Sequence, residues 1–240
     1  MTFRILCILL TVATASATHG FAPLWVIRGG ALPSNDEDKP FYALGVNIAR
    51  QVGTELKQIL TVEELATAIA GYTDSMKSLN SDVEEKKILS EHGATLNEII
   101  TKRALANLEQ RKGEGSDAVA AFIAGNKEAV TTETGLVYWE EVTGSGKQPT
   151  AESTVEVHYH GTLMDGTVFD SSKMRGQPVQ FPLDKVIKGW SEGVLRLKEG
   201  GKATLYLPSD LAYGDGGSPP QIPGGSTLKF EIELISVVQQ

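Results

Sequence analysis

Few residues in this chain have the types and spacing that chemistry needs. The stretch "VHYHGTLMDGTVFDSS", Val157 to Ser172, holds two histidines around a tyrosine and then an aspartate directly after a phenylalanine. His158 and His160 stand two apart, which places both on one face of a strand, as metal ligands would be. Two ligands do not complete a site, so they read as solvated or hydrogen-bonded histidines and no metal is expected. No serine sits at a nucleophile elbow with a histidine and an acid to activate it. No glycine-rich loop runs into Lys-Ser or Lys-Thr, and Gly224-Gly225 is turn material. What remains is a set of large apolar residues beside polar tips and turns: Tyr159, Phe169 with Asp170, Phe181, Val186 with Ile187, Trp190, Tyr213, Ile222 and Phe230. By composition such a set is most often core. Its other use is a pocket that binds by shape and excludes water.

The elements that would position this set have a period of two. "STVEVHY" places Val155, Val157 and Tyr159 on one face, with Thr154, Glu156 and His158 on the other. "TLKFEIEL" alternates Leu228, Phe230, Ile232 and Leu234 against Lys229, Glu231 and Glu233. Asp-Gly at the centre of "MDGT", Met164 to Thr167, signals a hairpin turn. Ile187, Trp190, Val194 and Leu197 step by three and four, so they form one face of a short helix that Gly200 and Gly201 stop. These patterns predict an antiparallel sheet curled over one short helix, the sheet part of an α+β fold.

Upstream, from about Phe41 to Val130, the pattern is helical. Tyr42, Ala49, Val52, Leu56 and Ile59 recur on one helix face. "TVEE" at Thr61 to Glu64 is a capping box that opens a second stripe of Leu65, Ile69, Tyr72 and Met76, and "SDVE" at Ser81 to Glu84 opens a longer polar helix. Gly113 and Gly115 are expected to loosen that helix before a last amphipathic turn around Val119 and Phe122. The stripes are thin for three or four helices, so this half is expected to complete its core against a second copy of the chain, or else against the downstream domain.

The whole chain sets outer limits. Its 240 residues, 41% apolar and 22% charged, suffice for one large or two ordinary domains, and a net charge of −8 argues against a nucleic-acid surface. At the N-terminus Arg4, the apolar run Ile5 to Val12 and "ASA" at Ala15 to Ala17 have the form of a cleaved signal peptide. The one cysteine, Cys7, lies within it, so the mature chain would carry no thiol chemistry. The expected division is a targeting segment over 1–20, a linker or targeting remnant over 21–38, a helical domain over 39–131 and the sheet domain over 132–240. The expected route is secretory: secreted, periplasmic or the lumen of the endoplasmic reticulum. A Phe just past the cleavage site, in "HGFAP", is similar to the plastid-import signal of algae with complex plastids, which would be the alternative destination.

In sequence order and spacing, "VHYHGTLMDGTVFDSS", "GQPVQFPLDKVIKGWSEGV", "DLAYG" and "IPGGSTLKFEIEL" resemble the FKBP-type, macrolide-binding peptidyl-prolyl cis-trans isomerases over roughly residues 132–237. "FYALGVNIARQVG", the paired capping boxes and "FIAGNKEAVTTETGLVYWEEVTGSGKQP" resemble the helical dimerisation module of the Mip-like branch of that family. The resemblance implies a pocket for a proline ring lined by Phe169, Phe181, Val186, Trp190, Ile222 and Phe230. It implies Tyr159, Asp170, Ile187 and Tyr213 as the groups that act on the bound peptide: the Ile187 N–H and the Tyr213 hydroxyl as donors, and Asp170 as an orienting carboxylate bonded to Tyr159. No cofactor is implied. The implied partners are proline-containing unfolded or partly folded polypeptides, macrolide inhibitors and a second copy of the chain through the helical domain, with an alternative in which the protein is a non-catalytic dimeric chaperone or proline-segment binding module. Better-studied small members carry an aromatic where Val179 stands and a histidine where Ser218 stands. Those departures bear on macrolide affinity and on the residue preferred before proline.

Overall fold

The computed structural model describes residues 35–239. Expectations for the targeting segment and most of the linker fall on 1–34 and lie outside the described residues. Residues 35–47 form one unit, a turn leading into helix α1 (Lys39–Ile59), where Phe41, Leu44 and Val46 are exposed.

The second unit, residues 48–240, contains the rest. Both capping boxes form. The Thr61 side chain accepts from the Glu64 amide as α2 (Val62–Met76) begins, and Ser81 does the same for Glu84 at the start of α3 (Asp82–Gly125). Glu64 also takes both guanidinium arms of Arg103, at 2.6 and 2.9 Å, while Arg103 donates to the Ile59 carbonyl, so α1, α2 and α3 meet at one ion pair. The Arg103 hydrogen bonds, with the Thr61 amide, hold the Glu64 carboxyl down to about 2.

Helix α3 runs unbroken through Gly113 and Gly115, against the expectation of a loosened stretch. A glycine costs a helix about 1 kcal/mol relative to alanine. At Gly115 the reason is packing: the residue is buried, and a Cβ there would stand 2.2 Å from Oγ1 of Thr227 in the sheet domain. Phe122, two turns further along the same face, packs on Tyr206 at 4.6 Å and edge-on to Trp139 at 5.7 Å between ring centroids. The end of α3 thus belongs to the sheet domain's packing. The second expected stripe is different, because Ile69, Tyr72 and Met76 on α2 are 60%, 55% and 69% exposed.

The strands are β1 (Val130–Thr131), β2 (Val137–Val142), β3 (Thr154–Leu163), β4 (Val168–Ser171), β5 (Val179–Pro182), β6 (Lys202–Leu207) and β7 (Leu228–Gln239). They pair antiparallel in the order β1-β2-β6-β7-β3-β4, with β5 also on β3. β7 follows one edge of β3 along its full length. The other edge is shared: β5 takes Thr154 to Val157, and β4 takes His160 to Thr162. Val155, Val157 and Tyr159 are buried as the alternation predicts, and so are Leu228, Phe230, Ile232 and Leu234. Two short helices complete the domain, α4 (Ser172–Arg175) and α5 (Lys188–Val194). α5 can press onto the sheet because Gly193 and Gly189 lack side chains. A Cβ at Gly193 would stand 2.4 Å from Leu205, and one at Gly189 2.7 Å from Leu207. This close seat carries Trp190 into the core.

Candidate active site

The hairpin sets the first part of the site. Asp165 accepts from the Thr167 amide, Gly166 takes a positive φ of 84°, and the Leu163 and Thr167 backbones bond across the turn. The returning strand β4 shifts register between Gly161 and Thr162, which leaves Asp170 opposite Gly161. β4 then leaves β3 at a pair of serines. Ser172 Oγ accepts from the Tyr159 amide at 2.8 Å, replacing the ladder bond that β4 no longer supplies, and Ser171 Oγ caps α4 by accepting from the Met174 amide. The histidines flanking Tyr159 are held by the same serines, His158 to Ser172 at 3.2 Å and His160 to Ser171 at 2.9 Å.

Strand alternation points the Tyr159 ring into the core, while its hydroxyl reaches Asp170 of β4. The ring lies edge-on to Phe181 of β5 at 5.8 Å and to Trp190 of α5 at 6.3 Å, and those two meet each other at 5.3 Å. Two positions along β3, Phe169 and Phe230 cross edge-on at 5.4 Å over Gly161. Val186, Ile187 and Ile222 join the same apolar cluster. Ile187 precedes α5 directly, its carbonyl receives the Trp190 amide at 3.0 Å, and among the described residues its own N–H takes no partner. The Tyr159 hydroxyl donates to Asp170 at 2.5 Å, as the resemblance implied. Tyr213 stands apart: it lies in the loop between β6 and β7, is 42% exposed and is not part of the apolar cluster. Val179 packs on the cluster opposite Val157, and Ser218 exchanges backbone hydrogen bonds with Ile222.

The description "FKBP-type peptidyl-prolyl cis-trans isomerase" matches residues 145–235, and "Domain amino terminal to FKBP-type peptidyl-prolyl isomerase" matches 37–139. The chain is 38% identical over 207 residues to the FKBP-type peptidyl-prolyl cis-trans isomerase FkpA of Aeromonas hydrophila, covering 84% of this chain and 76% of that protein. It is 36% identical over 244 residues to FkpA of Escherichia coli strain K12, covering 94% of this chain and 88% of that protein. The crystal structure of FkpA from Escherichia coli superposes with a TM-score of 0.62, covering 86% of this chain and 98% of that one. The chain belongs to the FKBP-type peptidyl-prolyl cis-trans isomerases.

In this isomerase sequence reasoning missed three contributors. Arg175, the last residue of α4, bonds Asp170 through one guanidinium arm and the Tyr159 hydroxyl through the other at 2.8 Å, with its charge 5.7 Å from the Tyr159 ring centroid. Its only sequence signal is a basic residue five places past Asp170, ahead of the left-handed Gly176. The serine pair carried no signal at all. Gly161 had a usable signal, a glycine within a strand, which marks close approach. A Cβ on it would stand 2.6 Å from Phe169 and 3.0 Å from Phe230. Gly161→Ala is therefore expected to cost about 1–3 kcal/mol by overpacking, read as a lowered melting temperature together with a raised KM for a proline peptide. A melt and KM equal to wild type would show that the ring pair has room to shift.

Burial pushes the Asp170 carboxyl up, but the hydrogen bonds from Tyr159 and Arg175 outweigh it and hold the group below its usual range. Burial first, and Asp170 second, push the Tyr159 hydroxyl up. A carboxyl with a depressed folded value contributes stability above its unfolded value and loses it as pH falls through the folded one. The network is thus expected to survive acidification past about pH 3.9, where a free aspartate would be half protonated. NMR titration of the Asp170 carboxyl checks this, and a midpoint at or above the free value would refute it.

Proposed function

We propose that this isomerase twists the X-Pro bond of a bound polypeptide in the pocket bounded by Phe169, Phe181, Val186, Trp190, Ile222 and Phe230, with Tyr159, Asp170, Ile187 and Tyr213 acting on the peptide. The observation that carries the reading is the convergence of the ring set with the Tyr159–Asp170–Arg175 network at the split edge of β3. Turning the bond means leaving amide resonance over a barrier of about 18–20 kcal/mol. The planar amide has more charge separation than the twisted one, so a water-excluding apolar box raises the ground state relative to the transition state. The Ile187 N–H, which precedes α5, is available to hold a carbonyl beside the proline. Arg175 keeps Asp170 ionised and aimed, so the carboxylate acts as a fixed charge rather than as a proton shuttle. No bond breaks, and the scheme requires no cofactor. Macrolides would compete for the same pocket, where Val179 offers less wall than an aromatic. Protease-coupled isomerisation of a proline tetrapeptide by the full chain tests the reading, and absence of turnover by folded protein would refute it in favour of a non-catalytic binder.

The natural substrate in this proposal is a folding polypeptide, met by a dimer whose helical domain, residues 39–131, carries two copies of the isomerase domain, 132–240. The exposed apolar residues of α2 support a second copy as their cover. A secretory route is proposed from the segment ending at Ala17, and the mature chain is expected to start between Thr18 and Phe21. Intact-mass measurement on protein from its native compartment checks this. A mass that includes Met1 to Ala17 would refute export, and a start well past Phe21 would favour the plastid.

A further inference from the structure

We infer that Arg111 and Lys112 of α3 are positioning residues of the isomerase site, fastening both ends of the loop that carries Tyr213 and Ile222. The inference rests on the assignment of those two residues to the site. Tyr213 to Gly225 form a loop closed on itself. The Gly225 amide donates to the Gly214 carbonyl at 2.9 Å and the Gly217 amide to the Tyr213 carbonyl at 3.1 Å, while Ser218 and Ile222 exchange bonds at 2.8 and 3.0 Å. Its two limbs touch so closely that a Cβ on Gly224 would stand 1.9 Å from the Asp215 carbonyl oxygen. A loop tied across itself in this way transmits a shift at its base to the residues it presents.

Helix α3 holds that base on both limbs. Lys112 Nζ lies 2.6 Å from Asp215, two residues past Tyr213. Arg111 donates one guanidinium arm to the Gly224 carbonyl at 2.7 Å, two residues past Ile222, and the other to Gln58 at 2.8 Å, which anchors it to α1. Gly225 leaves room for Leu108, since a Cβ there would stand 2.5 Å from the leucine Cδ1. A cleft of about 510 Å³ separates Leu105 and Leu108 from Pro219, Pro220 and Pro223. Ile222 is held by its own burial in the apolar cluster, whereas Tyr213 is 42% exposed, so the polar contacts at the base set above all where Tyr213 stands. Without them only a fraction of molecules would hold Tyr213 in place over the site, and the apparent affinity for peptide would fall by that fraction. The loss belongs in KM and leaves kcat alone, because the competent fraction turns over as before.

The test is steady-state kinetics of the full chain on a proline tetrapeptide. Arg111→Met with Lys112→Glu is expected to raise KM roughly tenfold, as loss of a charge-assisted bond and an ion pair would, with kcat within about twofold and the melting temperature near wild type. Lys112→Glu alone and Asp215→Lys alone should each raise KM by less. Joined in one chain they restore the opposite-charge pair and should bring KM back toward wild type, a rescue that a merely structural role for Lys112 would not produce. Trp190→Leu serves as the reference for the pocket itself. Unchanged KM in the Arg111 and Lys112 variant, or a reversed pair no better than its singles, while Trp190→Leu loses turnover, overturns the inference and leaves the pocket standing. Wild-type turnover by Trp190→Leu overturns the pocket assignment and this inference with it.

Discussion

Replacing Trp190 by leucine is expected to lower kcat/KM on a proline tetrapeptide by one to two powers of ten, about 1.4–2.7 kcal/mol of transition-state stabilisation. Trp190 is buried to 4% exposure and meets both Tyr159 and Phe181 edge-on, so in the proposed pocket it would form one wall and fix two of the others. Edge-to-face contacts are each worth about 0.5–1.5 kcal/mol beyond area. Alanine would add a cavity costing about 3–5 kcal/mol of stability and could unfold the domain. Leucine keeps much of the volume, so a normal melting profile with lost turnover isolates the pocket. Asp170→Leu is expected to lose turnover by a different route, since it leaves the Arg175 charge and the Tyr159 hydroxyl without their acceptor. If either variant folds normally and turns over at the wild-type rate, that residue has no part in the site.

Paired substitution of Ile69 and Tyr72 by aspartate is expected to convert a dimer into a monomer and to separate two activities. These residues are 60% and 55% exposed on α2, too apolar to face water along a whole helix without cause, and four charges on a two-fold interface would oppose association. Tetrapeptide turnover should stay within about twofold, because neither residue is within the pocket. Catalysis of a proline-limited refolding reaction should fall far more. A folding chain presents its proline briefly, and linked sites raise avidity on the order of a hundredfold without altering either pocket. Light scattering on both proteins, with both assays in parallel, decides the matter. A wild-type monomer, or equal losses on peptide and protein, would remove the dimer from the explanation.

The parts of this protein that were legible in the sequence are those decided within a few residues. Strand alternation at Val155, Val157 and Tyr159, the two capping boxes and the Asp-Gly turn rely on contacts one to four places apart, so residue type alone selects them. The candidate pocket residues could be named because their order matches a family, and the apolar ones among them then meet in one cluster. Tertiary structure decided the rest. Arg175 reaches Asp170 only because β4 breaks from β3 at Ser171 and Ser172, and which strand edge is left open is a property of the sheet rather than of any segment. Gly115 looked like a helix breaker by propensity. It is retained in an unbroken helix because Thr227, 112 positions away, occupies the space a side chain would need. The hold of Arg111 and Lys112 on the loop has the same origin. A basic pair on a polar helix has no local signature, and its partners, Gly224 and Asp215, come beside it only after the sheet has closed and α3 has packed across it.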